Sequence, residues 1–175
     1  FPTADKTWIY DLATEQWYQS TWTDNDGVEH RDRCPFYAHA YNKVIGRDWE
    51  TGLLYEIDTE TFTDDGFPII CRRGFPHVVN EMDRMTHWAL VADIQCGTTT
   101  DNDADPLLNL RWSDDRGQSW GDPVTASMGK IGEYLVSPQF QRLGMARDRV
   151  YELFWSENVK TALNGVYLDV EKADS

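Results

Sequence analysis

Apolar and polar positions alternate over short stretches of this chain, and nowhere does a long run recur every 3.6 residues. The alternation predicts strands at residues 88–94, 107–112, 150–155 and 166–170, separated by connections rich in Gly, Asp and Pro, at intervals that suit a β-sandwich. Earlier in the chain, residues 36–41 and 44–47 flank Asn42-Lys43, a two-residue connection that predicts a hairpin. Thr51-Gly52 then turns the chain into a further strand at 53–58. The cluster from Thr63 to Pro68 has the composition of a boundary, and the pattern changes after it. The expected organisation is a first segment at 1–66 and a second unit at 67–175.

The first segment carries an internal repeat. Tyr10-Asp11-Leu12-Ala13-Thr14-Glu15-Gln16-Trp17 returns as Tyr55-Glu56-Ile57-Asp58-Thr59-Glu60-Thr61-Phe62 at an offset of 45 residues, inside the range of propeller blades. Each copy reads as a strand ending in a turn, with the final aromatic opening the next strand. Blades bury their faces against neighbours, so a segment of this length predicts further blades upstream. The fold class is therefore all-β: partial propeller blades followed by a β-sandwich-like unit.

Composition narrows the partners. Thirty acidic residues against 16 basic ones leave a net charge of −14, which opposes the electrostatic attraction that dominates nucleic-acid binding. Sequence-specific binding of nucleic acid is not expected. An acidic lining has a different use, since it keeps a passing polyanion from adhering. No apolar run reaches the roughly 20 residues needed to span a bilayer as a helix. The chain opens on Phe1-Pro2-Thr3-Ala4-Asp5, without the basic and apolar regions of a signal peptide, and reads as a fragment or processed product. Cys34, Cys71 and Cys96 are odd in number and lack close spacing, which predicts free thiols and folding in a reducing compartment.

Candidate chemistry centres on residues 113–120, Ser-Asp-Asp-Arg-Gly-Gln-Ser-Trp, which fit the Asp-box pattern SxDxGx[ST][WF] at every fixed position. The device resembles one shared by sialidases, other carbohydrate-active propellers and some non-enzymatic β-proteins. Its physics is that of a scaffold: Asp115 accepts backbone N–H bonds inside the turn, Gly117 allows a positive φ, and Trp120 folds its ring over the hairpin, with Ser113 and Ser119 completing the structural pattern. A sialidase-like site needs three arginines and a Tyr–Glu pair drawn from several blades, which one Asp box does not supply. Asp101, Asp103 and Asp105 alternate as in a calcium loop, but Pro106 and Trp112 stand where Gly and Glu are required. His30, Cys34 and His39 lack a fourth zinc donor and a familiar spacing. No metal, cofactor or catalytic residue is assigned. Arg142, Arg147 and Arg149 form a basic island, and strand geometry predicts Arg147 and Arg149 on one side, where they reach acidic groups of a neighbouring subunit or a nucleic-acid backbone; the alternative is solvation or pairing within the chain.

Three ordered stretches carry a family resemblance: LRWSDDRGQSWG at 110–121, GKIGEY at 129–134 and RLGMARDRVYEL at 142–153, joined by TALNG at 161–165 and by residues 39–58 and 63–69. This series resembles the C-terminal part of the packaged-DNA stabilisation, or tail hub and nozzle, proteins of short-tailed bacteriophages. The sequence departs from the family pattern at Arg116, where a second Gly is expected, and at Leu135-Val136-Ser137-Pro138, where basic residues are expected. The resemblance implies a structural virion component, assembled in the host cytoplasm into a homo-oligomeric ring, a hexamer by family likeness. Such a ring lies below the portal beside portal-adaptor and other tail proteins, continues the DNA exit channel and helps retain the packaged genome. The alternative is a fragment of an Asp-box propeller that binds or hydrolyses glycans.

Overall fold

A computed structural model describes residues 1–24, 26–95 and 105–173. Its contacts divide the chain into two units, Phe1–Ile69 and Ile70–Ser175. Phe67 and Pro68, placed by the sequence pattern at the start of the second unit, pair instead with Asp64 and Thr63 and so belong to the first.

The first unit opens with a single 3₁₀ turn at Pro2–Ala4 and continues in short antiparallel strands. Strands β1 (Thr7–Asp11), β2 (Gln16–Thr23) and β3 (Glu29–Arg31) form one three-stranded sheet; β4 (Phe36–Ala40), β5 (Lys43–Arg47) and β6 (Leu54–Ile57) form a second; β7 (Thr63–Asp64) and β8 (Phe67–Pro68) make a small hairpin. The β4–β5 connection is Tyr41-Asn42, one residue earlier than the sequence suggests. Both residues have positive φ, 53° and 61°, as a primed hairpin turn demands, and Lys43 enters the strand opposite Ala40.

The repeated octapeptide adopts two geometries. In the first copy Tyr10 stands opposite Trp17, their ring centroids 5.0 Å apart, and the Asp11 carboxylate closes the turn by accepting from Ala13 N–H and Thr14 Oγ. In the second copy Tyr55 faces Gly46 on β5, and Asp58 rather than Glu56 closes the turn, accepting from Thr61 Oγ at 3.2 Å. Phe62 precedes β7 instead of opening it. The polar residue at the turn has shifted by two positions, so equal spacing of aromatics does not give equal pairing.

Little of the first unit is fully buried. Cys34 is 5% exposed and lies so close to Gly46 that a Cβ there would meet its Sγ at 2.8 Å, which is why a glycine holds this position. Elsewhere cation–aromatic stacks do the joining: the Arg33 guanidinium lies 4.0 Å from the Trp22 ring and pairs with Asp64 and Asp65, while Arg31 lies 4.0 Å from Trp49.

The second unit is a two-sheet sandwich. One sheet places β13 (Val124–Ser127), β12 (Leu107–Ser113) and β15 (Asp148–Trp155) side by side, with β9 (Cys71–Gly74) and β10 (Val78–Val79) pairing along β15; the other has the order β14 (Gln139–Ala146), β11 (Met85–Gln95), β16 (Ala162–Lys172). Leu90, Ala92 and Ile94 from one sheet pack with Leu108, Leu110, Tyr151 and Leu153 from the other, and Met128, Phe140 and Leu143 fill the remaining core. Strands β11, β12, β15 and β16 cover the stretches that alternation predicts. Strands β13 and β14 escape it. In β14 the buried residues are Phe140, Leu143 and Ala146, three apart, because positive φ at Arg142 and Gly144 and a register shift opposite His87 and Ala89 break the period of two.

Candidate functional site

The Asp box fills the connection between β12 and β13. Gly117 N–H donates to Ser113 Oγ at 2.8 Å, Ser113 Oγ donates to Asp115 at 2.6 Å, and Ser119 gives Asp115 both its N–H and its hydroxyl, at 2.8 and 2.5 Å. Together the Ser113 and Ser119 bonds hold the Asp115 carboxyl far below the usual carboxylate range. Gly117 takes a φ of 88°, and the Trp120 ring lies 3.9 Å from where its Cβ would stand. Arg111 stacks on Trp120 with its guanidinium 4.8 Å from the ring, and its Nε and Nη2 reach Glu152. Asp115 is thus engaged within its own loop.

Asp114, the neighbour that the pattern leaves unspecified, points to a longer-range partner. Its two carboxylate oxygens accept a forked pair from Arg149, at 2.6 and 2.8 Å, and the third Arg149 contact is donated to the Leu143 carbonyl at 2.5 Å. Arg149 is 3% exposed. This corrects its assignment to a subunit interface: the Asp114 fork draws the guanidinium into the sandwich, where its charge is matched internally. Arg147 does not share its side. It occupies the β14–β15 connection, is exposed, and donates from Nη1 to the Met82 carbonyl at 2.7 Å. Arg142 is exposed on β14.

Below Arg149, His87 is 1% exposed, with Nδ1 2.9 Å from the Tyr151 hydroxyl. Burial, reinforced by the Arg149 charge, pushes the imidazole down to about 4, so it is neutral at physiological pH. Nothing in the sequence singles this residue out, since its partner is 64 positions away. The other candidates do not assemble. His30 is held between Asp5 and Asp24, at 2.9 and 3.1 Å, apart from the buried Cys34 and the exposed His39. Asp101 and Asp103 lie outside the described residues, as does Cys96, while Asp105 accepts from Ser127 Oγ.

Beside the Asp box an open cleft of about 750 Å³ gathers Arg84, Arg116 and Arg147, together with Gln118, Met82 and Met145. Asp148 on its wall is held by His77 at 2.7 Å and Arg116 at 2.9 Å. Three arginines meet here, yet neither tyrosine nor glutamate is among the described residues that line the cleft, so it does not supply the Tyr–Glu pair of a sialidase-type site.

Two packed antiparallel sheets, one of them carrying a self-bonded loop between its neighbouring strands β12 and β13, define an all-β protein of the sandwich class. Residues 72–171 match the family described as Bacteriophage P22 Gp10, beta-sandwich. The match covers more than half of the 175 residues, and the chain belongs to this family of short-tailed-phage tail and hub proteins. The protein is accordingly a structural component of a phage tail, and so of the virion. A comparison with curated proteins gives no match.

Proposed function

We propose that the protein forms a ring, sixfold in the hub or nozzle of the tail, that continues the DNA exit channel below the portal and helps retain the packaged genome. The observation that carries this reading is the family match across the second unit. Two physical features support it. The Asp-box carboxylate and the Asp114–Arg149 fork are engaged in holding loops together, as a wall component under internal pressure requires. The net charge of −14 repels a DNA backbone, which suits passage without adhesion.

In this reading the protein is not an enzyme and works by shape and subunit packing, with other tail and portal-adaptor proteins as neighbours. The first unit supplies the last blades of a propeller. The test compares particles packaged with and without the protein, heated stepwise and assayed for nuclease-accessible DNA. Particles lacking it release their genome at lower temperature; identical release curves overturn the proposal.

A further inference from the structure

We propose that the cleft beside the Asp box receives carboxylate side chains from an acidic segment of the neighbouring copy in the ring. The proposal deepens the ring reading and rests on it. Its first ground is the balance of donors and acceptors. The cleft's three carboxylates are already engaged: Asp114 by Arg149, Asp115 by Ser113 and Ser119, and Asp148 by His77 and Arg116. Its guanidinium groups are not exhausted. Arg147 has one hydrogen bond, to the Met82 carbonyl, and Arg116, with a side chain 66% exposed, has the bond from Nε to Asp148. The Arg84 side chain has no hydrogen-bond or ion-pair partner among the described residues. Each guanidinium carries five N–H donors in a planar fork that matches a carboxylate. What the cleft offers is therefore a surplus of donors, with Gln118 adding an amide.

Its second ground is backbone strain. Glu81, Met82 and Arg116 adopt positive φ, at 46°, 65° and 65°, on the two loops that flank the cleft. Positive φ also serves ordinary turns, as at Tyr41 and Asn42; here it fixes the backbone on both flanks of the cleft. The cleft also lies at one end of the sandwich, where loops converge on a rigid frame.

The choice of occupant follows from charge and from the walls. Residues 1–69 contain fourteen acidic and five basic residues, so a second copy brings the complementary surface with it. A heterologous contact, arginine donors of the cleft to an acidic segment, is the kind that closes a ring by rotation. Asp114, Asp115 and Asp148 stand beside the three arginines, so a densely charged phosphate backbone fits less well than single carboxylates spaced along a peptide, each meeting one guanidinium. Met82 and Met145, 49% and 57% exposed, give the walls a soft apolar character that suits the residues flanking a peptide carboxylate.

The experiment uses the full chain and two readouts. Fluorescence anisotropy follows binding of labelled hexaglutamate, with inorganic pyrophosphate and sialyllactose as competitors, and light scattering follows oligomer mass. The double variant Arg84→Glu plus Arg147→Glu weakens hexaglutamate binding by about tenfold or more and dissociates the oligomer, with the circular-dichroism spectrum of the folded chain unchanged. Arg142→Glu, outside the cleft, leaves peptide binding intact. Equal peptide affinity in wild type and double variant overturns the cleft assignment, as does displacement at lower concentration by pyrophosphate or sialyllactose. An intact ring in a double variant that no longer binds peptide overturns the neighbouring copy as occupant while the ring reading stands. A wild-type chain that remains monomeric overturns both.

Discussion

Asp115 and Asp114 are adjacent carboxylates with opposite ranges of action, and the difference explains what can be read from a sequence. Asp115 bonds to Ser113 and Ser119, no more than four positions away, and Gly117 bonds to Ser113, so these fixed residues appear as a motif. Asp114 bonds to Arg149 across 35 positions, which no local pattern records. Arg149→Ala leaves Asp114 without its partner and costs roughly 1–3 kcal/mol, below the range for fully buried pairs because the Asp114 side chain is half exposed; urea unfolding measures it. His87 gives a pH signature. Its folded value near 4 lies below the ordinary 6.5, so the unfolded chain binds the extra proton in between. Stability is full above about 6.5 and declines as pH falls toward 4, by up to about 1.4 kcal/mol per unit. His30 acts in a different window. Asp24 and Asp5 raise its value, so its contribution is complete below 6.5 and is lost as pH rises through the raised value. Urea midpoints between pH 6.5 and 5 thus isolate His87, and His87→Gln flattens that slope.

Among the elements, strands that keep a period of two announce themselves, and the short edge strand β13 and β14, whose inward residues lie three apart, do not. β12 and β15 alternate because each pairs on both sides within one sheet and presents one face to the core. β14 has the spacing of a helix face, with Phe140, Leu143 and Ala146 inward, and only its bulged pairing with β11 makes it a strand. Leu143→Ala is expected to cost about 2–5 kcal/mol, the usual range for a buried leucine, whereas Met145→Ala, at an exposed position, changes stability by less than about 0.5 kcal/mol. Equal effects measured by denaturant titration contradict this assignment of faces. The repeat in the first unit illustrates the converse: aromatic spacing is legible, but the residue that closes each turn decides the pairing, and it differs between Asp11 and Asp58.

At the scale of the whole molecule, the apolar cluster belongs to the second unit, and the first is joined mainly by stacks of Arg31 and Arg33 on tryptophans. Residues 70–175 expressed alone are expected to unfold in one cooperative transition, while 1–69 alone show none by circular dichroism. The all-β class and the tail family were both legible in ordered stretches spread along the chain, because the Asp-box loop and the strands around it keep a recognisable order. The arginine cleft was not, since Arg84, Arg116 and Arg147 come together only through the fold. The central claim is that this protein is wall, arranged around the path of the DNA. A cryo-electron microscopy map of the intact tail tests it most directly: the account predicts copies of the sandwich in a closed ring below the portal with DNA on the axis. Density placing the sandwich on a peripheral fibre or on the capsid surface, with no ring around the channel, contradicts it.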